Sequence, residues 1–331
     1  MTKTSILVTG GAGYIGSVLV GKLLGRGHHV TVLDTFYFGE DVLAAHRANP
    51  DLALIQGDIR DQHVVRDALD GKEMVIHLAA MANDPSADLD PGETMSVNWE
   101  ASKALVAAAK NAGIRRFVNA SSASVYGVKD TPNVTEDLSL EPITLYGKTK
   151  AMTEQMVRES HTPDFVTVSL RPATVCGYST RQRLDLTVNM LTAQAVNRSL
   201  ITVFGGTQYR PNLHIDDMTD LYCLMVEADD RKIGGEVFNA GYENRSVAEI
   251  ASVVKDVVGP QVTIKTTDTV DLRSYRLSSK KILNVLGYQT KKTIADAAAE
   301  VKTAFTKRWL GDMDAAQYHN VKLMKEKGLG R

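Results

Sequence analysis

The chain has 331 residues, with 38 Lys and Arg against 39 Asp and Glu and a formal net charge of −1. That balance excludes a nucleic-acid polymer or an anionic membrane surface as the principal partner. Hydrophobic residues at 44% and charged residues at 23% exclude a disordered or low-complexity chain, and the length exceeds the roughly 250–300 residues at which one core stops growing.

In chain order, strands are predicted over Ser5–Thr9, 30–34, Leu52–Gln56, 74–78, Arg116–Ala120 and 165–170. These runs are apolar at most positions rather than alternating, which suits parallel strands buried on both faces. Helices are predicted between them over 15–24, 61–69, 94–111 and Leu145–Glu159. The repeated strand-helix-strand order predicts a doubly wound parallel α/β sheet of the Rossmann type, with ligands beyond the carboxyl ends of the strands. After about residue 172 the loops lengthen around Gly205-Gly206 and Arg210-Pro211, and helices over 246–258 and 293–306 dominate. The expected division is therefore 1–172 for the sheet and 173–331 for a smaller mixed α/β lobe, some of whose segments return to the first domain. Cys176 and Cys223 are too few for a disulfide framework and lack metal-ligand spacing, so no metal site is expected. No apolar run reaches the ~18 residues of a membrane span. A cytoplasmic protein without membrane contact is expected.

Gly11-Ala-Gly13-Tyr-Ile-Gly16 follows the first strand and opens the first helix, the setting in which a G-x-G-x-x-G pattern reads as dinucleotide binding. A side chain at these positions would block the turn, the approach of a pyrophosphate or the contact between helix and strand. Amides and the positive dipole at the helix start then hold the anion. Asp34 ends the second strand 18 residues beyond Gly16, where a carboxylate accepts hydrogen bonds from the ribose hydroxyls. A 2′-phosphate there would meet like charge, so NAD is expected rather than NADP. Asp58-Ile59 and Leu78-Ala79-Ala80 end the third and fourth strands and flank the adenine and the nearer ribose.

Tyr146 and Lys150 are four residues apart, on one face of a helix. A phenol is a poor base at neutral pH, and a nearby ammonium favours its phenolate. Ser122, after the fifth strand, can bond the same reacting oxygen, so the trio can remove a hydroxyl proton while a hydride leaves for nicotinamide. Asn83, in the loop after the fourth strand, is a candidate for facing the substrate.

The segments Thr9-Gly10-Gly11-Ala12-Gly13-Tyr14-Ile15-Gly16, His77-Leu78-Ala79-Ala80, Ser121-Ser122-Ala123-Ser124-Val125-Tyr126-Gly127 and Tyr146-Gly-Lys-Thr-Lys150 resemble the extended short-chain dehydrogenase/reductase family, in particular its nucleotide-sugar epimerases and dehydratases. Arg171-Pro172-Ala173-Thr174-Val175-Cys176-Gly177 and Arg210-Pro-Asn-Leu-His214 extend the likeness over most of the chain. The resemblance implies Tyr146 as base and acid, Lys150 as its tuner and ribose ligand, and Ser122 as partner of the sugar oxygen. It implies cofactor contacts at Gly10, Gly13, Tyr14, Ile15, Gly16, Asp34, Asp58, Ile59, Leu78, Ala79 and Ala80, and substrate contacts at Ser124 and Thr174. Arg210 and Arg273 match the arginines that meet a nucleotide diphosphate. It also implies a homodimer paired through the helices over 94–111 and Leu145–Glu159.

Two departures bear on the reaction. Dehydratases of the family carry Asp-Glu directly after the catalytic Ser or Thr, where this chain has Ala123-Ser124, so elimination is disfavoured. Thr174 stands where an Asn commonly faces the sugar in epimerases. The expected function is an NAD-dependent epimerase of nucleotide-diphosphate sugars, working at C4 through a 4-keto sugar. A one-way ketosugar reductase or sugar dehydrogenase uses the same residues and stays open, as does a non-catalytic NAD-binding regulator.

Overall fold

The computed structural model describes residues 3–39, 41–129, 131–268 and 274–329. Strands β1 (Ser5–Thr9), β2 (His29–Asp34), β3 (Leu52–Gln56), β4 (Met74–His77), β5 (Arg116–Ala120) and β6 (Val166–Pro172) alternate with helices as the apolar runs predict. They are followed by β7 (Thr174–Cys176), β8 (Leu200–Phe204), β9 (Tyr209–His214), β10 (Glu236–Ala240), β11 (Glu243–Ser246) and β12 (Thr263–Thr267). Seven strands form one parallel sheet in the order β3-β2-β1-β4-β5-β6-β10. Connectivity reverses between β1 and β4, which opens a crevice at their carboxyl ends. The last member, β10, comes from the second half of the chain and crosses back to pair with β6.

Both faces of the sheet are covered. On one face Ile6, Val8, Val30 and Val32 pack against Leu19 and Leu23 of the helix Tyr14–Gly25 and against Leu221 and Met225 of the helix Ile215–Glu227. On the other, Leu7, Val75 and Phe117 meet Val65, Leu105 and Val157. Each such side chain, fully withdrawn from water, contributes roughly 1.5–3 kcal/mol. The expectation of burial on both faces fails at β3, where Ala53 and Leu54 are exposed. That strand is the sheet's edge and, among the described residues, pairs with β2 alone.

The helix predicted over 94–111 is three pieces: Pro91–Met95, a π-helical turn Ser96–Ala101, and Ser102–Asn111. The widened turn carries the buried Asn98, whose Oδ1 accepts from the Met81 amide at 2.7 Å and whose Nδ2 donates to the Met81 carbonyl at 3.1 Å. Thr153 donates to the Asn98 carbonyl at 3.0 Å. A tertiary demand on one side chain thus overrides the regular 3.6-residue winding, as π-turns commonly record.

The smaller lobe holds a sheet β11-β9-β7 and a parallel pair β12-β8. Around Ile201, Val203, Ile250, Val254 and Ala297 pack the helices Thr187–Arg198, Val247–Val258 and Ile294–Thr306. The latter two begin in capping boxes, Ser246 with Glu249 and Thr293 with Asp296, so their starts are written locally.

Candidate active site

The carboxyl ends of β1, β2, β4, β5 and β6 open onto a cavity of about 810 Å³. Its cofactor end is shaped by the glycines. Gly10 has φ +73°, and a Cβ there would stand 2.6 Å from the Ala79 amide nitrogen. A Cβ on Gly16 would lie 2.4 Å from the Gly10 carbonyl oxygen, so this helix could not approach its strand with any larger residue. Gly13 caps the helix without a side-chain acceptor, leaving the first-turn amides for an anion.

Asp34 is held at the end of β2 by the amides of Ala12 (2.9 Å) and Phe36 (2.8 Å). Burial pushes its carboxyl up, and those donors pull it back. Asp58 is gripped by Arg60, which also reaches Glu93 at 2.8 Å. Ile59, Leu78, Ala79 and Ala80 complete this wall. A backbone cradle that any Cβ would fill, beside a fixed carboxylate, fits a dinucleotide.

At the chemical end, Thr144 caps the helix Leu145–Glu159 by accepting from the Gly147 amide at 3.1 Å, and it donates to Asp84 at 2.6 Å. Tyr146 and Lys150 share a face one turn apart, with Lys150 Nζ 5.8 Å from the Tyr146 ring centre. Ser122 Oγ accepts from the Ser124 amide (3.2 Å) and hydroxyl (2.9 Å) and lines the cavity together with Tyr146. Burial pushes that phenol up to about 12, with Ser122 pulling it down, Asp84 raising it and Arg183 lowering it. Lys150 is pushed down to about 8 by burial and donates to the Ala120 carbonyl at 2.8 Å. Lys150 is thus anchored on β5 one helical turn from the phenol. Asn98 also steadies this end, since its Nδ2 lies 3.4 Å from Thr149 Oγ1, next to Lys150.

Asn83, Ser124, Thr174 and Arg210 all line the cavity. Asn83, at φ +79°, also caps the turn Asp84–Ala87 through the Ser86 amide at 2.9 Å. Cys176 lies two residues beyond Thr174 but points into the lobe's core, 1% exposed, and burial drives its thiol far up. Arg273 lies outside the described residues. His77 is fixed between Thr9 Oγ1 (2.7 Å) and Ser102 Oγ (2.9 Å), and burial pushes it down to about 3, so it is a neutral structural residue.

Tyr14 has a second role beside its backbone place in the motif. Its hydroxyl donates to the Gly177 carbonyl at 2.8 Å. This bond is part of a roof that motif reading missed. Arg183 pairs with Asp185 (2.8 and 3.1 Å), and Asp185 also accepts from Asn83 Nδ2 (3.4 Å) and the Asn320 amide (3.1 Å). Arg181, Asn320, Met324 and Leu329 complete the roof. The signal available was the run Arg181-Gln-Arg-Leu-Asp185, an unusually charged stretch in a loop between two buried elements.

The sequence model of the NAD dependent epimerase/dehydratase family matches residues 6–241. A UDP-glucose 4-epimerase of Lactobacillus helveticus is 30% identical over 310 residues, covering 86% of this chain and 92% of that protein. UDP-glucuronic acid 4-epimerase from Bacillus cereus, solved with UDP-glucuronic acid and NAD, superposes with a TM-score of 0.82 at 28% identity, over 92% of this chain and 99% of its own. DesIV, a dTDP-glucose 4,6-dehydratase from Streptomyces venezuelae solved with NAD and TYD, gives 0.84 at 27% identity, over 94% and 100%.

Proposed function

The chain belongs to the NAD-dependent epimerase/dehydratase family, and on that premise we propose that it inverts C4 of a nucleotide-diphosphate sugar. The observation that carries the reading is that Tyr146, Lys150 and Ser122 line the same cavity as the glycine cradle and Asp34, with Ala123 and Ser124 where elimination needs an acid and a base. NAD held by the glycine cradle and Asp34 would supply a reversible hydride acceptor for C4. Tyr146 takes the O4 proton and later gives it back, so no net proton or electron is consumed. Ser122 holds O4 in line with the phenol, and Lys150, fixed on the Ala120 carbonyl, places positive charge on the side of the helix that faces the cofactor.

Asn83, Ser124 and Thr174 are proposed to face the sugar, and Arg210 to meet the diphosphate, for which a guanidinium is well suited. The lobe formed mainly by 173–331 would then close over the nucleotide sugar. Purified protein with NAD, given UDP-glucose or UDP-glucuronic acid, is expected to produce the C4 epimer by NMR without net change at 340 nm. Stoichiometric conversion of the nicotinamide would instead identify a one-way oxidoreductase.

A homodimer through the helices Ser102–Asn111 and Leu145–Glu159 belongs to the same proposal. Ala107 and Met152 leave exposed apolar surface there, Met152 at 37%. Sedimentation at micromolar concentration tests it, and a monomer would remove it. Among the described residues no helix is long and apolar enough to cross a membrane.

A further inference from the structure

Arg181 stands in the loop between β7 and the helix Thr187–Arg198. It is 3% exposed, and its guanidinium lies 3.6 Å over the Phe38 ring centre. Nη2 donates to Asn320 Oδ1, whereas Nε and Nη1 are buried with no partner among the described residues. A buried cation with most of its hydrogen bonds unmade is costly. Such groups persist where something outside the chain completes them.

Where it stands suggests what that is. Arg181 lines the same cavity as Gly13, Gly16 and Asp34, and it attracts the Asp34 carboxylate. Ser179, two residues earlier, is bonded to Ser17 Oγ (2.7 Å) and to the Tyr14 carbonyl (2.8 Å), so the loop is stitched to the first turn of the glycine-motif helix. Arg183, two residues later, lines the same cavity as Tyr146 and pairs with Asp185. Arg181 thus lines the cavity from a loop fastened to the turn whose amides await an anion. Burial pushes it down to about 9, which leaves it cationic at neutral pH.

We propose that Arg181 is a cofactor-binding residue, donating from Nε and Nη1 to the diphosphate of the dinucleotide and held for that task by Asn320 of the C-terminal helix Asn320–Glu326. The assignment rests on the dinucleotide reading of the cavity. It also ties the C-terminal segment to cofactor retention, since Asn320 donates in turn to the Ala82 carbonyl at 3.3 Å, beyond β4.

The test strips nucleotide from wild type, Arg181→Met and Arg181→Lys and titrates each with NAD, ADP and adenosine by calorimetry, beside thermal melts of the apo proteins. Charge-assisted hydrogen bonds of this kind predict NAD and ADP about 10- to 100-fold weaker in Arg181→Met, with adenosine unchanged and partial recovery in Arg181→Lys. The apo Met variant should melt no lower than wild type, because it loses an uncompensated buried charge. An apo melt that falls while NAD affinity holds, or an equal loss for adenosine, would overturn the assignment in favour of packing alone. If the Met variant fails to fold, Arg181→Lys, which keeps the charge but lacks Nε, carries the same comparison. Failure of the wild type itself to take NAD would overturn the dinucleotide reading, and this assignment with it.

Discussion

The floor and the roof of the cavity are built by different means. On the floor, each functional group sits where a strand ends: the glycines after β1, Asp34 at the end of β2, Ala79-Ala80 after β4 and Ser122 after β5. Chain and space run together there, and a few contiguous residues make each part. The roof joins segments 139 residues apart, as in the Arg181–Asn320 bond, and holds them with side-chain hydrogen bonds rather than strand pairing. The floor can therefore be shared across many reactions, while the roof is free to differ between relatives and to set what is held and how tightly.

If the chemistry belongs to the floor, Tyr146→Phe should give the largest effect: a fall in kcat of about 10²–10⁴-fold, as loss of a general acid-base group does, with NAD content unchanged. An epimerisation progress curve by NMR measures it, and near-normal turnover would move the chemistry elsewhere. Lys150→Met should cost less, about 10²-fold, and it carries a pH signature. Lys150 titrates near 8 in the folded chain, below the ordinary lysine value. Between those two values the unfolded chain binds more protons, so this group makes wild-type stability rise with pH across that window. Urea unfolding of wild type should show that rise relative to Lys150→Met, and parallel profiles would contradict the buried ammonium.

On the roof, Asp185→Asn leaves the Arg183 cation without its carboxylate. Both groups are mostly but not fully covered, so the cost should be about 2–3 kcal/mol, short of a fully buried pair. The Asp185 carboxyl lies below its usual range, with Arg183 and Asn320 outweighing its burial. Its stabilisation is therefore complete above about pH 4 and fades as pH falls through the depressed value. The variant should lack that acid-side loss, and an unchanged acid limb in urea unfolding would show that Asp185 is not coupled to the fold. Turnover should suffer as well, because Arg183 and Asp185 line the cavity that holds Tyr146.

The same division decides what could be read in advance. Buried apolar runs and helical periodicity are local, so β1–β6 and the helices Leu145–Glu159 and Val247–Val258 were legible, as were the positions now lining the floor, whereas β7–β12 were not. The π-turn was not, because it answers to Asn98 reaching Met81, a contact made only after β4 and the helix Leu145–Glu159 are packed together. Nor was the edge exposure of β3, since an apolar run does not reveal whether a second strand will lie beside it. Arg181 and Arg183 stood in plain view as charged loop residues, but their burial depends on a C-terminal helix that no periodicity connects to the glycine motif. Phe38, two residues past the floor's own Phe36, became part of the roof by stacking under Arg181.

Tyr14 lies on the seam, a residue of the glycine motif whose side chain serves the roof, and it offers the finest test. Tyr14→Phe removes the hydroxyl that donates to Gly177 and accepts from Asn189 at 3.0 Å. Neither partner is stranded: Asn189 still donates to the Arg183 carbonyl at 2.9 Å, and the Gly177 carbonyl still accepts from Asn189 at 3.3 Å. The cost should therefore stay near that of one neutral hydrogen bond, about 1 kcal/mol in urea unfolding. NAD affinity should hold within about threefold, since the ring still fills its place and the backbone at Tyr14 is untouched. A loss of NAD binding comparable to that expected for Arg181→Met would mean that the Tyr14 hydroxyl reaches the cofactor, and that the line between floor and roof runs on the other side of this ring.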